Sequence, residues 1–209
     1  MAVKQARTAE DILDVAIAYV DEHGLDALTM RSLGDELGWH HTAVYRYYPN
    51  KSELVTGMVD HLIGQAMADV AIDRISARNE LLALARAIRG LIREHPAVMQ
   101  ALPNLTGTAP NSIAGMQRVV DVMEAMGLRD ELLVAWSRLF EGFIIGSSLW
   151  DYAAAPNHLS SRRLREQAIG HPTLVAAYNS DSAVDRINES VFELGLATFV
   201  EQAELAVRS

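Results

Sequence analysis

Apolar residues return every third or fourth position along almost the whole of this chain, a period that points to an all-α fold. Ile12, Leu13, Ala16, Ile17 and Val20 make the first stripe. Thr8 and Asp11 stand before it at the spacing of a capping box, and His23-Gly24 ends it, with Gly24 free to turn left-handed. Thr29 is placed to cap a second helix carrying Met30, Leu33 and Leu37, which Gly38 ends. A third, short helix runs through Ala43, Val44 and Tyr47 to Pro49. A long fourth opens at Asn50 or Ser52 and carries Leu54, Met58, Leu62 and Met67. Beyond it the period predicts helices over 79–95, 112–127, 130–152 and 183–207. A short helix plus a loop is expected after Pro96, and a mixed connector around Pro156, Arg162, Arg163, Arg165 and Pro172. Few runs alternate with the period of a strand.

The chain has 209 residues, half of them hydrophobic, and no cysteine, so a packed core is expected while disulfides, zinc-thiolate sites and thiol chemistry are excluded. A reducing, cytoplasmic setting follows as the expectation. MAVKQARTAEDIL lacks the apolar run of a secretory signal. The longest apolar stretch, Leu139 to Trp150, contains Glu141 and is expected to be too short to cross a bilayer, so no membrane partner is foreseen. The formal net charge of −9 argues against a protein coated in nucleic acid, yet it does not decide a local contact. The acids of the first sixty residues gather mostly between Glu10 and Asp26, whereas Arg31, Arg46 and Lys51 lie further on.

Those basic residues frame GWHHTAVYRYYPNKSEL, residues 38–54. Two short helices joined at a glycine are the helix-turn-helix arrangement. Gly34 is small where the helices approach, Gly38 turns the chain, and Leu37 and Val44 face inward. His40, His41, Thr42 and Ala43, at the start of the third helix, are then directed outward to where a major groove would lie. Tyr45, Tyr47 and Lys51 are placed to donate to phosphates, while Arg31 and Arg46 are long enough to reach guanine edges. His40 and His41 are a poor metal site, because neighbouring helical residues point about 100° apart; no metal or cofactor is expected. Tyr48 reads as a core residue. For Tyr45 and Tyr47, core and surface both remain open at this level.

The stretch LTMRSLGDELGWHHTAVYRYYPNKSEL, residues 28–54, resembles the DNA-binding signature of the TetR family of bacterial transcriptional repressors. The Leu-Thr opening, the Gly34/Gly38 spacing, the Val-Tyr pair, Tyr48 and the Asn-Lys-x-x-Leu close carry the likeness. REHP and the glycine-bearing helix over 130–152 are similar to the tetracycline-repressor type of C-terminal domain. The resemblance implies that Arg31 and the segment from Gly38 to Tyr47 face bases, and that Thr29, Tyr45, Tyr47 and Lys51 face the backbone. It departs from the family at His40, where serine or threonine usually caps the recognition helix. It also implies a domain of residues 1–50 that reads double-stranded DNA and a helical regulatory and dimerisation domain over 51–209.

The second half carries more apolar surface than one core uses. The helix over 130–152 holds Trp136, Leu139, Phe140, Phe143 and Ile144, broken only by Arg138 and Glu141, and the last helix carries two apolar stripes. A helix apolar all round must be covered on both sides, and a second copy of the chain is the expected cover. Met99, Leu102, Leu105, Met116, Val120, Met123, Trp136, Phe140 and Phe143 are the candidate lining of a cavity for a small molecule; residues at such helical spacing are more often ordinary core. The family's tetracycline-binding members place histidines where this chain has Leu105 and Met67, so the expected effector is uncharged or weakly polar and largely hydrophobic. No phosphate loop, nucleophile elbow or zinc helix occurs, and an enzyme is not expected. The sequence therefore reads as a ligand-responsive, homodimeric DNA-binding regulator, a repressor in the first instance. The rival is a helical small-molecule-binding or scaffold protein without sequence-specific DNA binding.

Overall fold

The structure, a computed structural model, describes residues 8–72, 75–105, 109–151 and 157–208. Among these residues the elements are helical and no strand occurs: α1 (Ala9–His23), α2 (Met30–Leu37), α3 (His41–Val44), α4 (Lys51–Asp69), α5 (Ala77–Glu94), α6 (Pro96–Met99), α7 (Pro110–Ala125), α8 (Asp130–Asp151), α9 (His158–Ala168), α10 (Pro172–Ala177) and α11 (Asp181–Arg208). Single 3-10 turns lie at Leu25–Ala27 and Leu102–Asn104. The chain divides into two compact units, the first within Met1–Ala71 and Gly90–Arg118, the second within Ile72–Arg89 and Val119–Ser209.

In the first unit α1 packs on α2, α4 and α6. The capping box forms as the spacing predicts: Asp11 N–H donates to Thr8 Oγ1 at 3.1 Å and Thr8 N–H to Asp11 Oδ2 at 3.0 Å. Gly24 has φ +84 but ψ 158, so it leaves α1 in a mirror-image extended conformation and not in the left-handed helical one foreseen. Ile12, Ala16 and Val20 are buried against Leu28, Leu33, Leu54 and Met58 of the same core. Two ring contacts pin α1 further, His61 Nε2 lying 3.0 Å from Asp14 Oδ1 and His95 Nδ1 2.6 Å from Asp21 Oδ2.

α4 and the first part of α7 clamp one another. Asp60, buried on α4, accepts from the Ser112 N–H at 2.8 Å and from Asn111 Nδ2 at 3.1 Å, closing the N-terminus of α7. In return the Arg118 guanidinium donates to the carbonyls of Met67, Val70 and Ala71 at 3.0, 2.9 and 3.1 Å, closing the C-terminus of α4. Gly64 lets Asn111 reach in, since a Cβ there would lie 2.7 Å from Asn111 Nδ2.

In the second unit α11 packs on α8 and α9. Trp136 meets Phe199 edge-on at 4.9 Å and Phe143 stacks on Phe192 at 5.6 Å, so α8 and α11 run in opposite directions. Arg78 donates to Glu204 at 2.9 Å, and Arg86 makes a two-bond contact with Glu193 whose hydrogen bonds hold that carboxyl below the usual carboxylate range. Gly195 is where Phe143 lies on the α11 backbone: a Cβ would stand 2.6 Å from its ring. Gly195→Ala is therefore expected to push the ring from between Phe192 and Phe199, lowering stability by about 1–3 kcal/mol in urea titration. A loss within noise would show the ring free to move.

One expectation is corrected here. The mixed connector is two helices, α9 and α10, because Pro172 sits at the first position of α10, where a missing N–H costs nothing. Arg163 and Ser160 of α9 also reach Asp181. The stretch Asp130–Leu149 of α8 is long and apolar enough, by length and composition alone, to cross a membrane. Only 22% of its most apolar window is buried, so what distinguishes the helix is an uncovered outer face.

Candidate nucleic-acid interface

Gly38 sets the geometry of the interface. Its φ of 67° and ψ of 27° place it in the left-handed region, and nothing lies within 4 Å of a Cβ built there, so backbone conformation alone calls for glycine. The Gly38 N–H donates back to Asp35 O at 3.1 Å and the Trp39 N–H to Gly34 O at 2.8 Å, which turns the chain out of α2. Val44 is fully buried and anchors α3; Leu33, Gly34 and Leu37 receive it from the α2 side.

With Val44 inward, its neighbours must face out. Tyr45 and Tyr47 are 45% and 43% exposed, which settles the alternative left open by the sequence in favour of surface. Arg46 and Thr42 are exposed as well. Ala43 is half-buried, so it faces outward less than foreseen. The backbone of His41 opens α3, while its side chain lies outside the described residues. His40 occupies the N-cap position without making a capping bond; its Nδ1 instead lies 2.8 Å from the Thr42 hydroxyl. Helical bonding ends at Val44, earlier than foreseen, and Tyr45 to Tyr47 form a turn in which the Tyr47 N–H donates to Val44 O at 3.0 Å.

Thr29 caps α2, its Oγ1 accepting from the Ser32 N–H at 2.9 Å, and Arg31 is exposed in the first turn that follows. Among the described residues neither the Arg31 nor the Arg46 guanidinium makes a hydrogen bond or ion pair, in contrast to those of Arg78, Arg86 and Arg118. Lys51 is half-buried and its Nζ donates to Leu25 O at 2.8 Å, which spends one of its three hydrogens within the protein. Tyr48, expected in the core, is half-buried. Its hydroxyl reaches Ala9 O at 3.4 Å, its ring lies on Gly57, and burial, then Glu10, raises its phenol above the ordinary value. Trp39 was not singled out from the sequence; its half-buried ring lies 6.0 Å from that of Tyr47 and steadies it.

The residues expected to line an effector cavity fall in both units. Met99, Leu102, Leu105 and Met116 belong to the first; Met99 is buried, Leu102 and Leu105 are half-buried and Met116 is exposed. Val120, Met123, Trp136, Phe140 and Phe143 belong to the second, where Met123 and Phe140 are buried and the others half-buried. Sequence reasoning missed Arg89, Ser148 and Asn188, polar side chains buried in that second unit. The signal was present, an asparagine in the middle of the stripe Val184–Asn188–Phe192. A separate, half-open cavity of about 160 Å³ lies on α1 and α2, lined by Val15, Ala18, Tyr19, Glu22, His23 and Glu36.

Residues 12–58 match the family model described as bacterial regulatory proteins, tetR family, and residues 75–201 that described as tetracyclin repressor-like, C-terminal domain. The HTH-type transcriptional repressor DrrR1 of Streptomyces coeruleorubidus is 30% identical over 145 residues, 69% of this chain and 54% of its own, so the chain spans about half of that relative's length. An HTH-type transcriptional regulator of Saccharopolyspora erythraea is 25% identical over 85% of this chain and 78% of its own. A solved "possible TetR family transcriptional regulator" from Streptomyces coelicolor A3(2) superposes with a TM-score of 0.79 at 25% identity, covering 95% of this chain and 100% of that one. The S. coelicolor TetR family protein ActR, solved in complex with actinorhodin, has the same fold, with a TM-score of 0.76 at 22% identity over 98% and 100% of the two chains.

Proposed function

The chain belongs to the TetR family of bacterial regulatory proteins, and on that premise we propose that it is a cytoplasmic repressor that binds a palindromic operator as a homodimer and is released by a small, largely hydrophobic effector. The observation that carries the reading is the exposed face on which Arg31, Arg46, Tyr45, Tyr47 and Thr42 stand around a buried Val44, with both guanidiniums uncommitted among the described residues. His40, His41 and Ala43 complete the base-facing segment, while Thr29 and Lys51 serve the phosphates. Residues 1–50 act as the reader and 51–209 as the regulatory and dimerisation part.

The dimer is supported by the outer face of the second unit. Val134 and Leu139 of α8 are 64% and 58% exposed, and Val191 and Leu194 of α11 are exposed beside other apolar residues. Leaving such a face in water is unfavourable, and a second copy offers the same face in return. Two copies set two recognition segments about one DNA turn, 34–36 Å, apart. An effector then acts by population shift, favouring the arrangement in which the two readers no longer fit successive grooves.

Selection of bound sequences from a random DNA pool, at physiological salt, tests this reading. Enrichment of a palindrome with half-sites about one helical turn apart is the expected outcome. No enrichment from folded protein would favour the helical small-molecule-binding or scaffold protein. With the operator in hand, Arg46→Ala is expected to weaken binding by about 5- to 150-fold, the equivalent of about 1–3 kcal/mol for a lost bidentate guanine contact. Unfolding should stay unchanged. An unaltered operator affinity would remove Arg46 from the reader.

A further inference from the structure

Trp39 stands in the turn between α2 and α3, next to the left-handed Gly38. Its backbone is fixed, since its own amide donates to Gly34 O at 2.8 Å. Its ring is half-buried and lies 6.0 Å from the ring of Tyr47, tilted by 31°. Phenylalanine would fill the space beside Tyr47 without a polar atom. Tryptophan brings one, an indole N–H that can only donate. Among the described residues that N–H has no hydrogen-bond partner. It is not sealed from solvent either. Indole N–H groups withdrawn from bulk water find a partner as a rule, and tryptophan is enriched at interfaces where one end of the ring is apolar and the other wet.

The neighbours of this donor indicate its acceptor. Of the side chains set toward phosphates, Lys51 spends one hydrogen on the Leu25 carbonyl, and the Thr29 hydroxyl is shared with Ser32. The Tyr45 and Tyr47 hydroxyls are exposed and make no hydrogen bond among the described residues. Trp39 adds a third uncharged donor, packed against the second of these tyrosines. A ring held half-buried against Tyr47 lacks the reach of Arg31 or Arg46 into a groove, so its acceptor is the backbone and not a base edge. At least half of protein–DNA hydrogen bonds go to phosphate and sugar, and neutral side chains make many of them. Neighbouring phosphates of one strand lie about 3.4 Å apart along the duplex axis. Two donors whose rings are 6.0 Å apart therefore reach the same phosphate or adjacent ones.

We propose that Trp39 is a backbone-contacting residue of the reader. Its indole N–H donates to a phosphate oxygen within one nucleotide of the phosphate met by Tyr47, once in each half-site. The inference rests on the reading of the chain as a DNA-binding regulator and adds to it a contact that carries no charge. That lack of charge can be measured. Removing a lysine or arginine that neutralises a phosphate lowers the slope of log affinity against log salt by about one, whereas removing a neutral donor leaves the slope where it was.

Trp39→Phe keeps a ring against Tyr47 and removes the N–H. With the operator selected as above, the full-length protein and this variant are titrated with duplexes in which one phosphate at a time is replaced by an uncharged methylphosphonate. Trp39→Phe is expected to bind the unmodified operator about tenfold more weakly per half-site, with the salt slope unchanged. It is also expected to lose sensitivity to replacement at one phosphate of each half-site, at or next to the one where Tyr47→Phe loses it. Wild-type affinity in Trp39→Phe would overturn the proposal. So would a weaker affinity with the wild-type methylphosphonate profile, which marks the ring as packing alone. Should Trp39→Phe not fold, the wild type decides the matter. Of its three indole N–H resonances, assigned through Trp136→Phe and Trp150→Phe, that of Trp39 is expected to move downfield and exchange more slowly on the operator. An unmoved signal overturns the contact. A wild-type protein that binds no DNA removes the regulator reading and this contact together; one that binds while Trp39→Phe matches it removes the contact alone.

Discussion

Phe192→Ala is expected to lower the free energy of unfolding by about 3–5 kcal/mol, read from the midpoint and slope of a urea titration. Phe192 is among the largest fully buried side chains of the second unit. Its removal opens a cavity between α5, α8 and α11 and takes away the face on which Phe143 stacks. It also strips the ring from beneath the Arg89 guanidinium, leaving a buried cation with one neighbour fewer. Phe199→Ala is the control, since its ring, edge-on to Trp136 and stacked on Phe143 at 6.5 Å, is only half-buried and should cost less. If the two substitutions cost the same, the stack and the guanidinium add nothing to simple burial.

Asp60→Ala should cost about 1–3 kcal/mol, the loss of a charged acceptor for two part-buried hydrogen bonds. The carboxylate sits where the first turn of α7 has N–H groups with no partner inside the helix, and where the helix dipole favours negative charge. Asp60→Asn keeps one acceptor and should recover part of the loss. Amide exchange at Ser112 should accelerate in Asp60→Ala while exchange in α11 holds, which separates the loss of a cap from general destabilisation. A cost below about 1 kcal/mol would mean that water replaces the carboxylate without penalty.

How far these features were legible depended on how far apart their partners lie in the chain. The Thr8–Asp11 box, the turn at Gly38 and an α4 start at Asn50 or Ser52 are matters of a few residues, and local spacing made them legible. Val44 was legible as the inward residue of α3, and once it is inward Tyr45 and Tyr47 have no course but outward. Asp60 was invisible because its partners are 51 and 52 residues away and one of them is a backbone amide, which carries no sequence signature. Lys51 was read as free for phosphate because its acceptor, the Leu25 carbonyl, is equally unsigned. The expected effector residues were chosen for apolar character, a criterion that passes over buried polar side chains such as Ser148 and Asn188. α9 escaped notice because its apolar positions are few and its hold on α11 is polar, through Ser160 and Arg163 on Asp181.

The Lys51 tether turns α4 into a lever. Nineteen helical residues make a rod about 28 Å long. Its near end is bolted by the Lys51 ammonium to the turn that follows α1, and through α1 to α2, which carries Arg31. A tilt of about 5° at one end of such a rod displaces the other by about 2.5 Å, comparable to the distance over which a hydrogen bond is made or lost. On the proposed function, the DNA-facing segment therefore has no need to unfold or rearrange internally in order to let go. On the proposed reading, a small change of pitch in one rod, carried stiffly through a single ammonium, is enough to lift an arginine off the edge of a base.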